Sequence, residues 1–117
     1  MTRSMRGLWF AAGFGLLLVG GCDKNCQTSC TKIYDESECG ILTGGQTAQE
    51  LIRDCVATCR SALQNTGPMG DYDPETPRDP QNPKTITNEK QAAAWMDCVA
   101  ARTCEDLDPA VGYCEPI

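Results

Sequence analysis

Four cysteines in two C-x3-C pairs constrain this chain more than any other feature: Cys26 with Cys30, and Cys55 with Cys59. Residues four apart lie one turn above each other on a single helix face. The two thiols of such a pair point the same way, so they are poorly placed to bond each other and well placed to bond a facing helix. In an antiparallel hairpin the outer cysteines meet each other and so do the inner ones. The spacing therefore predicts Cys26–Cys59 and Cys30–Cys55.

The surrounding residues read as helices. Over 24–36, Cys26, Cys30 and Ile33 recur at helical spacing, and Gly40, Gly44 and Gly45 end that segment. Over 48–64, Thr47 and Glu50 form a capping box. Ala48, Leu51, Ile52, Cys55, Cys59, Ala62 and Leu63 then make one apolar stripe, and Asn65-Thr66-Gly67-Pro68 stops it. A third helix is predicted over 88–102, with Asn88 as cap and Gln91 three residues on. Ala92, Ala93, Ala94, Ala100 and Ala101 favour it, while Trp95, Cys98 and Val99 form its buried face. Trp95 reads as core, with a partner-binding anchor as its alternative role. Residues 66–86 hold five of the seven prolines, at 68, 74, 77, 80 and 83, and read as an extended, largely solvated linker. Met69 and Tyr72 within it are its candidates for a docking contact. Asp108-Pro109 reads as the cap and first position of a short turn, bracketed by Cys104 and Cys114. The expected fold is small, all-α and disulfide-rich: an antiparallel hairpin (24–36 and 48–64), a third helix (88–102) and a Pro-rich linker between them.

Residues 1–21 have the pattern of a secretory signal. Arg3 and Arg6 give a positive start, and the 12 residues Leu8–Val19 an apolar core. That core is short of the roughly 20 residues needed to span a bilayer. Val19-Gly20-Gly21-Cys22 resembles a bacterial lipobox. The resemblance implies cleavage before Cys22, whose sulfur receives diacylglycerol, with a further acyl chain to follow. Two or three chains hold a protein on a membrane stably where one does not. No other cofactor is expected. Asp23 resembles the inner-membrane retention signal of enteric bacteria; sorting differs elsewhere, so inner and outer membrane both stay open. The mature chain would be 22–117, a single domain of 96 residues once 21 are removed from 117. It would face the periplasm or the exterior, with the membrane and a membrane or envelope protein as its partners.

Nine cysteines are an odd number. Setting Cys22 aside leaves eight: Cys26, Cys30, Cys39, Cys55, Cys59, Cys98, Cys104 and Cys114. An even count in an exported chain implies disulfides, here with 105 possible connectivities. Beyond the hairpin pairs, the simplest choice closes the tail with Cys104–Cys114 and ties the third helix to the first loop with Cys39–Cys98. The twin C-x3-C hairpin is similar to the small chaperones of the mitochondrial intermembrane space. That likeness is confined to residues 26–59, has a longer loop with the extra Cys39, and implies an architecture but no function. The mature part more broadly resembles the small cysteine-rich lipoproteins of some Gram-negative bacteria, most of which have no assigned role.

Composition narrows the chemistry. Without Arg3 and Arg6 the chain carries 8 basic and 16 acidic residues, a net charge near −8, which argues against nucleic acid and against electrostatic adhesion to anionic lipid. Its aromatics are Tyr34, Tyr72, Trp95 and Tyr113, too few for a large core, so cross-links must supply stability. There is no histidine, which removes Ser-His-Asp and Cys-His catalysis and the commonest metal ligand. There is no C-x-x-C motif. Asp71-Tyr72-Asp73-Pro74-Glu75 resembles the start of a calcium loop, but Thr76 stands where the turn glycine belongs and Asn82 where the bidentate glutamate belongs. No pair of carboxylates stands out as an acid–base couple. The reading is a non-enzymatic binding, scaffold or accessory module; the alternative is a thiol-redox or thiolate-metal protein of the cell envelope.

Overall fold

Asn25 is the first residue that the computed structural model of the protein describes, and Pro116 the last. The leader, Cys22 and its proposed lipid lie outside the described residues. Asn25 opens helix α1 (Cys26–Tyr34) by accepting a hydrogen bond from the Thr28 amide at 2.8 Å. Helix α2 (Ala48–Leu63) opens on the expected capping box: the Thr47 hydroxyl accepts from the Glu50 amide, and Glu50 accepts from the Thr47 amide at 2.9 Å. Asn88 caps helix α3 (Glu89–Ala101), accepting from the amides of Lys90 and Gln91. A fourth, single-turn helix, α4 (Cys104–Leu107), follows a bend and is capped by Thr103, which accepts from the Asp106 amide. The described residues form no strand.

Each of α1, α2 and α3 touches the other two. Their directions follow from a few bonds. Bridges from α1 to α2 make that pair antiparallel. The Glu89 amide donates to the Asn65 carbonyl at 2.8 Å, so α3 starts where α2 stops. Lys32, in the last turn of α1, donates to the carbonyls of Val99 and Arg102 at the end of α3, placing a cation on that helix's unsatisfied terminus. The bundle therefore has two distinct ends. The near end gathers the start of α1, the end of α2 and the start of α3. The far end gathers the 35–47 loop, the end of α3, and α4.

The core is small. Its largest fully buried side chains are Trp95, Ile33, Leu107 and Val99 together with Cys30, Cys59, Cys98 and Cys114, so half of them are half-cystines. Disulfide sulfur here fills volume that a larger domain would fill with leucine and phenylalanine. The apolar stripe of α2 is narrower than the sequence predicts: Leu51, Val56, Cys59 and Ala62 are buried, but Leu63 is 41% exposed.

Residues 66–86 depart from the expectation of a solvated linker. They run from the near end to the far end and back as a strap, with Tyr72, Pro74 and Ile86 buried. The prolines do exclude helix, but they do not exclude burial. Proline lacks an amide donor, so only its carbonyl must be satisfied, and the Pro74 carbonyl accepts from the Cys114 amide at 2.9 Å. Gly112, at φ +85°, lets the strap and the tail touch: the Arg78 amide donates to its carbonyl at 2.9 Å. A Cβ there would lie 2.4 Å from the Arg78 Cβ.

Candidate functional site

All eight described cysteines are paired, and the pairing defines what thiol chemistry the domain can do. Cys26–Cys59 and Cys30–Cys55 close the hairpin, with Cα separations of 5.7 and 5.9 Å. The other two bridges are Cys39–Cys104 and Cys98–Cys114. They correct the expected Cys39–Cys98 and Cys104–Cys114. The physical reason lies in α4 and the turn after it. Asp108 reverses the chain, accepting from the amides of Val111 and Gly112, so Cys114 runs back beside α3 and meets Cys98. Cys104, one bend beyond the end of α3, is then left at the far end, where the loop after α1 brings Cys39. Among the described residues, no three or more cysteine, aspartate or glutamate side chains converge as a metal site.

The tail and the strap interlock around Trp95 and Tyr72. Trp95 is 2% exposed, and its Nε1–H donates to the Cys114 carbonyl at 3.0 Å. This is the core role, with the polar handle of the indole satisfied. Tyr72, expected as an exposed docking contact, is instead buried at 6%, and its hydroxyl donates to the Glu115 carbonyl at 2.6 Å. Burial, then the charges of Glu115 and Asp73, push the Tyr72 hydroxyl well above the usual tyrosine range. Met69 packs half-buried against the core, and its carbonyl accepts from Gln91. Tyr72 is therefore not a free contact, while Met69 keeps part of its side chain at the surface. The acidic run that resembled a calcium loop resolves into separate turns, with the Asp73 carboxylate accepting from the Glu75 amide and Asp79 from the Gln81 amide. Outside this knot, Arg102 pairs with Glu75 and Asp106 and stacks 4.0 Å from the Tyr113 ring centre. The hydrogen bond to Glu75 is the main cause of its raised guanidinium pKa.

Two clefts with mainly apolar linings lie on the hairpin. The larger, about 680 Å³, lies between α1 and α2, with Ile52, Val56 and Ala57 in it and Gln27, Arg53 and Arg60 around it. It has an apolar floor and a polar rim, the composition common to small-molecule sites. Of these residues the sequence singled out Ile52 alone, as part of the α2 stripe. The signal for the rest was available: Ile52, Val56 and Arg60 lie at steps of four along one side of α2. The second cleft, about 330 Å³, is lined by Tyr34, Leu51, Ile86 and Trp95 where α2, α3 and the strap meet.

No protein-family model matches the chain, and no curated protein or solved structure matches it. No described helix is long and apolar enough to cross a membrane.

Proposed function

We propose that the protein is a lipid-anchored, disulfide-stabilised, non-enzymatic module that acts as a binding, scaffold or accessory subunit at a bacterial membrane surface. The observation that carries this reading is the cysteine arithmetic. Of nine cysteines, eight close four bridges. The ninth is Cys22, where the lipobox pattern calls for a thiol to be acylated. Four bridges are consistent with an exported chain. The α1–α2 groove supports a binding role, because it is a shaped, partly apolar concavity with a polar rim. The alternative, a thiol-redox or thiolate-metal protein, requires at least one of the four bridges to open.

The deciding experiment is the intact mass of the protein from a membrane fraction, alkylated without reduction. The expected species begins at Cys22, carries acyl groups, lacks eight hydrogens relative to the reduced chain and takes up no alkylating agent. A mass retaining residues 1–21 would remove the anchor, and alkylated cysteines would bring the redox or metal reading forward.

A further inference from the structure

We infer that the domain stands on the bilayer by its near end, the face around Leu63 and Arg60, with the far end pointing into the aqueous compartment. The inference rests on the lipid-anchor reading and adds an orientation to it. Covalent length sets the first constraint. Three residues separate Cys22 from Cys26, so their Cα atoms, four chain steps apart, lie at most about 14 Å from each other even when fully extended. Cys26 is no loose attachment point. It is the first residue of α1, 4% exposed, and bridged to Cys59 with Cα atoms 5.7 Å apart. A lipid on Cys22 is thus joined by a very short tether to a rigid point beside Arg60 and one turn from Leu63.

Charge gives the second constraint. The far end carries Asp35, Glu36 and Glu38 in the loop after α1, Glu50 in the first turn of α2, and Glu105, Asp106 and Asp108 around α4. Of the bases there, Lys32 is committed to the α3 carbonyls, Arg102 to Glu75 and Asp106, Arg78 to Glu115 and Arg53 to Asp54, so none offsets the remaining acids. The near end carries Arg60 and Lys90 against Glu89 and, on the strap, Asp71. Helix α2 has 16 residues, so the two ends lie about 24 Å apart. That is roughly three Debye lengths at physiological salt, which is about 8 Å. With the near end down, an anionic headgroup layer meets a face of balanced charge, and the acidic end lies beyond its field. The opposite orientation would press the acidic end onto that layer. The third constraint is apolar: Leu63, 41% exposed, puts a large apolar side chain on the near end, which the headgroup–acyl boundary would accept. Leu42 and Val111, also exposed, belong to the far-end loops and are left for a protein partner.

The test places a tryptophan at either end. Full-length Leu63→Trp and Leu42→Trp proteins are expressed in a bacterium that processes lipoproteins and purified from its membranes. They are then reconstituted into phosphatidylethanolamine–phosphatidylglycerol vesicles carrying headgroup-proximal nitroxide lipid. Trp95 is buried in both and contributes the same background. The expected result is that the L63W emission is largely lost and the L42W emission largely retained. Equal quenching, or stronger quenching at position 42, would overturn the orientation while leaving the anchor intact. The mass of the same vesicle-bound material reports acylation of Cys22; an unacylated Cys22 would overturn both the orientation and the anchor.

Discussion

The hairpin and the strap-and-tail region reach stability by different routes. In the hairpin, α1 and α2 face each other along repeating positions, and each contact recurs a turn later. Where the tail (108–116) meets the strap (66–86) and α3, each contact occurs once: Tyr72 to Glu115, Arg78 to Gly112 and Cys114 to Pro74 on the strap, and Trp95 to Cys114 on α3. A repeated interface tolerates the loss of one element, because its neighbours hold the register. An interface of single bonds does not, since each bond fixes a segment that has no periodic structure of its own.

Substitutions sharpen that contrast. The largest effect is expected from removing Cys39–Cys104, which closes the longest loop, 65 residues in sequence separation. The C39A/C104A double variant should lose about 4 kcal/mol on the chain-entropy estimate, read as a lower Tm by circular dichroism without reductant. A Tm within a degree of the parent would mean that the bridge contributes no stability. Next, Gly112→Ala forces a side chain into Arg78 at a backbone angle that favours glycine, and should cost roughly 1–3 kcal/mol, with the strap becoming susceptible to trypsin. Unchanged resistance to trypsin would contradict the strap–tail contact.

Tyr72→Phe removes one hydroxyl and leaves the Glu115 carbonyl without its donor, a loss of about 1–2 kcal/mol by denaturant titration. The parent should also lose stability more steeply above pH 10 than the variant, which keeps only the contribution of buried Tyr34. Because the folded pKa of Tyr72 is raised, its protonated form favours the fold. Stability from this group is present below the unfolded tyrosine pKa near 10 and declines as pH rises above it. Parent and variant falling in parallel above pH 10 would exclude Tyr72 as the cause. The smallest effect belongs to the hairpin: Thr47→Ala removes one cap and should cost about 1 kcal/mol, with no change in strap proteolysis. A loss as large as that at Gly112 would erase the distinction between the two regions.

The same contrast governs what the sequence made legible. Cys26, Cys30 and Ile33 announce α1 through spacing, Thr47 and Glu50 announce the start of α2 through chemistry, and Asn88 does so for α3. The start of α2 is where expected, and the other ends differ by one or two residues. The hairpin bridges follow from the same periodicity. Tyr72 and Met69 were misread as exposed because proline density reports what the backbone cannot do and is silent on which side chains turn inward. The Cys98 and Cys104 pairings failed for a related reason. They depend on α4 and the Asp108 reversal, and α4 is a single turn, too short for a period to appear. Its one readable signal was Thr103 with Asp106 three residues on, a pattern like the one at Thr47. Steps of four put Ile52, Val56 and Arg60 on one side of α2, but that α1 supplies the opposite wall through Gln27 and Thr31 is visible only once both helices are in place. As for Cys22, its assignment rests on the residues before it and on the odd cysteine count.

Cys26–Cys59 and Cys30–Cys55 lie wholly before the strap, and Cys98–Cys114 wholly after it. Among the described residues Cys39–Cys104 is therefore the one covalent tie between the two halves apart from the strap itself. A protease that cuts at the exposed Arg78 would release no fragment: the severed molecule stays one piece, its second half hanging from the first by that sulfur–sulfur bond. Digested further without reductant, peptides 91–102 and 103–117 and the one holding Cys39 should travel together as a trio, the signature of a two-chain protein made from one.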